Sequence, residues 1–157
     1  NFWDNVYGYK MPGMKELYYT EAVYDYIEKD LLISDKTLIH NINILKITLE
    51  ELSFIVEYKL KFNKKGEYNS FVIWLEMCFE SLHKPLRISY GPGDPKSSIY
   101  PIIFYLKKPI KVNVGASSWG TLVIKRETKG GKNVLLGKIS YHYEGMNSYN
   151  QFFKIDF

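Results

Sequence analysis

The chain has 157 residues, a formal net charge of +4 and 24% charged residues, so it can bury a hydrophobic core without help from metals or disulfides. Its one cysteine, Cys78, excludes an internal disulfide and is typical of a reducing compartment, which predicts an intracellular location, cytoplasmic or nuclear. No apolar stretch approaches the ~20 residues that cross a membrane, so a membrane protein is not expected.

The aromatic content is high and begins with the first residues. Aromatic residues make up 17% of the chain, and Tyr and Phe favour pleated, half-buried surfaces, so the composition favours β structure. Residues 1–8 contain three aromatic residues and a Val, with no initiator Met and no polar lead-in beyond Asn1. Free N-termini are usually polar, so this opening predicts an internal segment of a longer protein.

Residues 1–30 are predicted to form a helical unit. Pro12 and Gly13 break the chain, and apolar residues then recur at the spacing of one helix face up to Tyr26. This pattern predicts one helix with frayed ends or two short helices. Aromatic residues and Met are enriched at the centres of interfaces, so we expect an interface arm, with burial in the core of the same domain as the alternative. The candidate arm residues are Phe2, Trp3, Tyr7, Met11, Met14, Leu17 and Tyr18.

Residues 31–157 are predicted to form an antiparallel β-barrel-like domain. Many short alternating segments separated by turn residues favour an antiparallel barrel or sandwich. The clearest is 71–79, whose odd positions are all apolar and predict one fully buried face. The other predicted strands are 37–44, 102–106, 111–114, 121–126, 134–143 and 151–156. The fold class is therefore mainly β, with a short N-terminal helical arm.

Two segments are predicted to be irregular. Gly130 and Gly131 lie between two predicted strands, and because Gly-Gly permits the positive φ of tight turns they predict a hairpin. Residues 89–101 contain three prolines and two glycines, which excludes a strand and predicts a long loop. Within it, 91–95 are too rich in proline to hold a nucleotide and are interpreted as a turn.

The residues most able to carry chemistry form no recognisable centre. His40, His83 and His142 lack metal-ligand spacing, so no metal site is predicted. Cys78 is interpreted as a buried, inert thiol. Glu76 and Glu80 stand about 13 Å apart on one strand face, too far for paired-carboxylate chemistry. A solvated edge is expected there, and contact of Glu76 with another domain is the alternative.

A nucleic-acid-binding barrel is a further alternative. Aromatic side chains beside basic ones can stack on bases and bind phosphates. Acidic residues balance most of the charge and the basic residues lie at strand ends, which favours a solvated face over nucleic-acid binding. The candidate basic residues are Lys107, Lys108, Lys111, Lys125 and Arg126.

Several stretches in succession resemble the protein arginine methyltransferases. Residues 2–11 resemble the family's Phe-Trp-x-Asn-Val-Tyr-Gly-Phe-x-Met segment, and 48–54 resemble Val-Glu-Asp-Leu-Thr-Phe. Residues 89–92 resemble Ser-Thr-Gly-Pro, 103–106 resemble Val-Phe-Tyr-Met, and 115–122 resemble Gly-x-x-x-x-Gly-Thr-Ile. Their order and spacing match the family from residue 1 to about residue 122.

This resemblance implies a function that needs more than this chain. Family members transfer methyl groups from S-adenosylmethionine to arginine side chains of proteins, and a Rossmann-type cofactor domain precedes their barrel. Their helical arm packs on the partner's cofactor domain in a head-to-tail dimer. The chain would then be the arm and substrate-binding barrel, inactive and without cofactor by itself. The implied partners are Gly-Arg-rich protein substrates and a second copy or a related subunit.

The resemblance fails at one loop. Ser97, Ser98 and Ile99 occupy the positions of the family's Thr-His-Trp loop, whose His bonds a carboxylate across the domain interface. Ser98 cannot form a cationic hydrogen bond, and Ile99 lacks an aromatic face for a guanidinium. Two alternatives stay open: an active enzyme in which Tyr100 supplies the aromatic ring, and a weak or inactive regulatory paralogue that serves an active partner.

Overall fold

The chain is described by a computed structural model that covers residues 4–129, 132–146 and 148–155. One α-helix, α1 (Pro12–Tyr18), precedes nine strands, and two 3₁₀ turns lie at Lys29–Leu31 and Glu50–Leu52. The first five strands are β1 (Val23–Tyr24), β2 (Phe54–Lys61), β3 (Gly66–Ile73), β4 (Glu76–Phe79) and β5 (Leu86–Ser89). The others are β6 (Ile102–Val112), β7 (Ser117–Lys129), β8 (Lys132–Tyr143) and β9 (Tyr149–Ile155). No helix among these residues is long and apolar enough to cross a membrane.

The strands form two larger antiparallel sheets and one separate hairpin. One sheet has the order β1-β6-β3, the other the order β2-β7-β8-β9, and β4 pairs with β5 alone. The two larger sheets share one hydrophobic core, which includes Phe62, Phe104, Leu106 and Tyr141. The predicted class, a mainly β, antiparallel, barrel-like domain with one short N-terminal helix, is confirmed.

The core is continuous because the inward positions of both sheets carry large apolar side chains. Along β9 burial alternates strictly: Gln151, Phe153 and Ile155 are buried, whereas Asn150, Phe152 and Lys154 are exposed. Phe153 packs edge-on against Phe104 of the other sheet, with ring centroids 4.7 Å apart. This alternation has the period of two that places one face of a strand inside.

The strand predicted over 71–79 is divided in the structure. β3 ends at Ile73 and β4 begins at Glu76, and the two strands belong to different sheets. The prediction that all odd positions form one buried face is wrong, because Leu75 and Phe79 are exposed. The direction changes at Trp74, whose indole packs so closely on Gly91 that a Cβ there would lie 2.7 Å from Nε1.

The helix and the first predicted strand are also shorter than their patterns suggest. α1 ends at Tyr18, since Ala22 donates to the Lys154 carbonyl (3.0 Å) and Val23 pairs with Ile103 of β6. The strand predicted over 37–44 does not form among the described residues. Asn43 accepts a side-chain hydrogen bond from the Leu45 amide (3.0 Å), which stabilises a turn in place of a strand. The boundary at residue 30 stays a prediction.

The two segments predicted to be irregular fit the structure. β7 and β8 form a long hairpin in which Lys129 pairs with Lys132. Gly130 and Gly131 lie outside the described residues. Residues 90–101 form no helix or strand and connect β5 to β6.

Candidate oligomerisation surface and the altered loop

α1 carries its apolar side chains on the outside. No residue of the helix is buried, and Met14 and Leu17 each expose nearly half of their surface. The segment before the helix is similar, because Tyr7 and Tyr9 are largely exposed and Met11 is partly exposed. These five exposed residues are here called the arm surface. A surface helix of a monomeric domain normally turns its apolar face inward, so these exposed residues are candidates for contact with another domain or subunit.

The C-terminal end of α1 is fixed to the barrel by specific contacts. The ring of Tyr18 stacks on the ring of Tyr105 in β6, with centroids 5.0 Å apart. The Glu16 carboxylate pairs with Lys107 Nζ at 2.6 Å. Burial, followed by a hydrogen bond with Tyr105, raises the pKa of Tyr18 above its ordinary value. Tyr18 therefore attaches the arm and differs in role from the outward-facing arm residues.

A buried glutamine joins the arm to both sheets. Gln151 of β9 donates to the carbonyls of Tyr19 and Tyr105, each at 2.7 Å. Its side-chain oxygen accepts a hydrogen bond from the Lys107 amide at 3.1 Å. Because a buried polar group is costly unless it is hydrogen-bonded, these three bonds fix the residue that follows α1 relative to β6 and β9. The sequence pattern does not show this residue to be special, since it is one polar residue in an alternating strand.

The predicted arm residues thus fall into three groups. Tyr7, Met11, Met14 and Leu17 point outward. Tyr18 packs on the barrel. Phe2 and Trp3 lie outside the described residues. Their participation in an interface stays a prediction.

The start of the 90–101 loop is a compact turn that uses its own polar groups. The Gly91 amide donates to the Asp94 carboxylate at 2.9 Å, and the Gly93 amide donates to the Ile27 carbonyl at 3.0 Å. Gly93 has a φ of +82°, which glycine tolerates best. The amides that could bind a phosphate are engaged and a carboxylate lies beside them, so these residues do not fit a nucleotide cofactor.

The residues of the altered loop follow this turn. Ser97 Oγ donates to the Ile99 carbonyl (2.9 Å) and accepts from the Ile99 amide (3.0 Å), which closes a small ring within the loop. Ser98 is exposed, and Ile99 and Tyr100 each keep more than a third of their surface exposed. The structure therefore presents Ser98, Ile99 and Tyr100 to the outside, next to one another.

Glu76 is engaged within the chain. Its carboxylate pairs with Lys36 (2.9 Å) and with Arg87, and Trp74 Nε1 donates to it at 3.3 Å. This network attaches the β4-β5 hairpin to the segment before β2. With three donors on its carboxylate, Glu76 is poorly suited to the contact with another domain that was considered as an alternative.

The β4-β5 hairpin has an apolar face that the sequence analysis missed. Met77 opposes Ile88, and Phe79 opposes Leu86, on one side of the pair. Phe79, Leu86 and Ile88 are exposed. The prediction of a buried thiol is wrong, because Cys78 lies on the opposite, outer side of this isolated pair and is exposed. A two-stranded sheet has no second layer to bury either face. Burial could have been questioned from the sequence, since Glu76 and Glu80 flank Cys78 at alternate positions.

The histidines occupy separate positions. His40 stacks on Phe54, with centroids 4.2 Å apart, and His142 stacks on Trp119 at 5.9 Å. His83 is exposed between β4 and β5. In the described part of the chain, no three His, Cys, Asp or Glu side chains are grouped as a metal site would require.

Most of the basic residues considered as nucleic-acid contacts interact with other side chains of the same chain. Lys107 pairs with Glu16, and Lys108 lies 5.6 Å from the centre of the Tyr149 ring. On the other sheet the cations are engaged as well, since Lys125 pairs with Glu127 (3.0 Å) and Arg126 donates to Asn133 (2.8 Å). Because these basic residues are divided between two sheets, they do not form one phosphate-binding surface.

Comparison with known proteins identifies the relatives of the chain. A family profile described as the arginine methyltransferase oligomerization subdomain matches residues 1–146. Protein arginine N-methyltransferase 1 of Dictyostelium discoideum is 26% identical over 145 residues, which are 92% of this chain and 42% of the relative. The corresponding protein of Chlamydomonas reinhardtii is 27% identical over 144 residues, 92% of this chain and 41% of the relative. The chain spans about two-fifths of the length of these relatives.

Solved structures show the same fold. The Trypanosoma brucei PRMT1 enzyme-prozyme heterotetrameric complex with AdoHcy contains a chain that matches with a TM-score of 0.90 at 20% identity, over 99% of this chain and 50% of that one. An open conformation of Arabidopsis thaliana protein arginine methyltransferase 10 matches with a TM-score of 0.78 at 15% identity, over 98% and 50%. Because the family profile covers residues 1–146 of 157, the chain belongs to the arginine methyltransferase oligomerization subdomain family.

Proposed function

We propose that this chain is the oligomerisation unit of an S-adenosylmethionine-dependent protein arginine N-methyltransferase, and that its arm surface binds a second subunit. The observation that carries this proposal is the exposure of α1. Met14 and Leu17 each keep nearly half of their surface exposed, and no residue of the helix is fully buried. Contiguous exposed apolar patches of this kind mark interaction sites. Aromatic residues and Met are also the types enriched at the centres of interfaces.

The attachment of the arm supports the same role. Tyr18, Glu16 and Gln151 fix the end of α1 to the barrel, so the helix is held in place before a partner arrives. Such preorganisation lowers the entropy lost on binding. An arm with the same apolar residues but no attachment would have to be ordered during association.

The partner is either a second copy or a related subunit. The Trypanosoma brucei neighbour is an enzyme-prozyme heterotetramer, and an assembly of two different subunits is one form that the proposal takes for this chain. In either form the methyl donor and the acidic residues that hold the arginine belong to parts of the enzyme outside this chain. The barrel contributes surface to the binding of Gly-Arg-rich protein substrates.

The altered loop favours a specific second candidate, a regulatory paralogue with little activity of its own. Ser98 stands where the family has a histidine, and Ser97 uses its hydroxyl within the loop. A serine hydroxyl stays neutral at physiological pH, so it cannot replace the charged hydrogen bond of an imidazolium. Tyr100, which is exposed beside it, is the residue through which an active enzyme would rebuild the pocket.

The oligomerisation proposal is tested by the molar mass of the full-length protein in solution, because the family resemblance implies that the arm packs on the partner's cofactor domain, which lies outside this chain. Leu17→Glu places a charge on the arm surface, and we expect light scattering to show a shift from dimer to monomer. Ile55→Glu is the matched control, because Ile55 is also exposed but lies on β2, away from the arm. A monomeric parent chain, or the same mass for parent and Leu17→Glu, would contradict the proposal.

The two catalytic alternatives are distinguished by measuring methyl transfer by the full-length protein to a Gly-Arg-rich peptide. A regulatory paralogue transfers little methyl alone and raises the turnover of an added active relative. An active enzyme turns over alone and loses activity in Tyr100→Ala. Ser98→His tests the loop directly, since a gain in turnover would show that the missing imidazole limits the reaction.

A further inference from the structure

We propose that the barrel has a binding site for a small, uncharged and mainly apolar molecule, in a cavity between β2 and β3. The cavity has a volume of about 410 Å³, which lies within the range of about 300–1,000 Å³ typical of small-molecule sites. It is distinct from the arm surface and from the altered loop, so it does not depend on the proposed function. No residue of α1 and no residue from 97 to 100 lines it.

The cavity exists because two consecutive strands separate. β2 and β3 are joined by only four residues, 62–65, yet β2 pairs with β7 and β3 pairs with β6. Strands joined by so short a connection usually pair with each other. Here they diverge from the connection, and the space between them opens along their length.

A segment of extended chain covers this space. The amides of Asn63 and Lys64 both donate to the Ile33 carbonyl, at 2.9 and 3.3 Å, and the Asp35 amide donates to the Lys61 carbonyl at 3.1 Å. Residues 31–39, here called the cover segment, are thereby fixed to the strand connection. Protein interiors contain few voids larger than a water molecule, so a cavity of this size under a hydrogen-bonded cover is a candidate binding site.

The walls are mostly apolar. Leu32 and Ile33 of the cover segment face the cavity together with Leu60, Phe71 and Ile103 of the barrel. Water gains few hydrogen bonds against such walls, whereas an apolar molecule would recover dispersion contacts that the walls lack. The depth of the cavity therefore selects an apolar ligand.

The polar residues occur in two short groups, Ser34 to Thr37 in the cover segment and Glu67 to Ser70 in β3. Of the charged residues, Asp35 accepts from the neutral Asn63 side chain at 2.9 Å and Lys36 pairs with Glu76 at 2.9 Å. Glu67 stands opposite Lys111 in the neighbouring strand. Because the rim carries both signs of charge and each of these charged groups already faces a residue of the chain, the geometry favours a neutral ligand that has one hydrogen-bonding group.

The test uses the fluorescence of N-phenyl-1-naphthylamine, a neutral probe that brightens in apolar sites. We expect saturable binding to the parent chain with one molecule per chain. Leu32→Trp fills the cavity and should weaken binding at least tenfold. Leu38→Trp is the matched control, because Leu38 belongs to the cover segment but is exposed and does not line the cavity. It should bind as the parent does.

The charge requirement is tested by competition between three molecules that share one ring system. Neutral 2-naphthol should displace the probe, whereas 2-naphthalenesulfonate and 2-naphthylmethylammonium should need at least tenfold higher concentration. Equal displacement by a charged competitor would overturn the neutral class. Absence of saturable probe binding to the parent chain would overturn the site itself.

A measurement on the unsubstituted chain guards against a variant that does not fold. Saturation with 2-naphthol should shift the methyl resonances of Leu32, Ile33 and Leu60 and leave those of Leu38 and Leu45 in place. Shifts confined to the exposed leucines, or unchanged probe binding by a folded Leu32→Trp, would show that the ligand binds elsewhere.

Discussion

Tyr141 and Tyr7 carry the same side chain, yet Tyr141 is 2% exposed inside the barrel and Tyr7 is 97% exposed in the arm. In the barrel the aromatic rings pack on one another. The ring of Tyr141 stacks on that of Tyr149, with centroids 5.4 Å apart, and contacts that of Phe71, with centroids 5.9 Å apart. The arm leaves Tyr7 and Tyr9 exposed. Aromatic residues therefore occur in two settings in this chain, a core and an exposed surface, and composition alone does not distinguish them.

The sharpest contrast between the two regions is expected at two glycines. A Cβ at Gly120 of β7 would overlap the Ser140 carbonyl, whereas Gly13 of α1 has nothing within 4 Å. Gly120→Ala should lower the free energy of unfolding by roughly 4 kcal/mol or prevent folding, because backbone atoms cannot yield as a side chain does. Gly13→Ala should be neutral or stabilise by up to about 1 kcal/mol. Urea unfolding measures both, and a mild effect at Gly120 would show that the strands separate easily.

Truncation of one apolar residue in each region should have opposite consequences. Phe104→Ala removes a ring that is 1% exposed and should cost about 3–5 kcal/mol of unfolding free energy. Leu17→Ala should cost less than about 0.5 kcal/mol in the monomer but weaken self-association. Calorimetry and light scattering on the same samples separate the two effects. A large loss of monomer stability in Leu17→Ala would mean that α1 belongs to the core.

The attachment between the regions should fail when Gln151 is replaced. Gln151→Leu leaves the carbonyls of Tyr19 and Tyr105 and the Lys107 amide without this partner. We expect a loss of roughly 2–3 kcal/mol and faster amide exchange in α1. Asn150→Ala, a change at the exposed neighbouring position, should leave exchange in α1 unchanged. Normal protection of α1 in Gln151→Leu would show that Tyr18 and Glu16 suffice.

The difference between what sequence reasoning found and missed follows from the range of the interactions. Alternation located β7 to β9, because in the four-stranded sheet one face is buried and the period of two is visible along each strand. In the other sheet it divided β6 into two predicted strands, 102–106 and 111–114, where the structure has one. The same alternation misled at 71–79, where the pattern continues across a change of sheet at Trp74. That change depends on the contact with Gly91, which is distant in sequence and leaves no periodic signal.

The candidate site was predictable to the same extent. The apolar opening residues indicated an arm from their type and place, and the loop at 97–99 was found by its departure from a family pattern. Gln151 and the cavity between β2 and β3 were not found, since both arise from the way separate strands meet. A hydrogen bond between residues 132 positions apart, such as Gln151 to Tyr19, has no local signature.

The buried tyrosines of the barrel should make stability fall in alkaline solution. Burial raises the pKa of Tyr141 to about 12 and raises that of Tyr58 further. In the unfolded chain tyrosine ionises near pH 10, so the stabilisation is fully present below pH 10 and is lost as the pH rises toward the folded pKa. Each such group reduces the free energy of unfolding by about 1.4 kcal/mol per pH unit in that range.

Replacement of one of these tyrosines isolates its share of the pH dependence. Tyr141→Phe should flatten the plot of unfolding free energy between pH 10 and 12 by about 1.4 kcal/mol per pH unit. The matched control is Tyr7→Phe, which changes an exposed ring in the arm and preserves the core. Equal slopes for the parent and Tyr141→Phe would contradict the assignment.

The smallest expected effects concern two neighbouring tyrosine hydroxyls in the core. Tyr58 donates to the Ser140 carbonyl at 3.0 Å, whereas no hydrogen bond of normal geometry reaches the buried Tyr68 hydroxyl from the described residues. The hydroxyls of Tyr58 and Ser118 lie near it, but Tyr58 donates to the Ser140 carbonyl and Ser118 donates to the His142 carbonyl at 2.8 Å. Tyr58→Phe should therefore lower the free energy of unfolding by about 1–2 kcal/mol, and Tyr68→Phe should leave it unchanged or raise it by up to about 1 kcal/mol. Both substitutions remove one oxygen and keep the ring, so opposite signs in urea unfolding report the hydrogen bond alone. Equal losses would place a bound water or a rotated hydroxyl beside Tyr68.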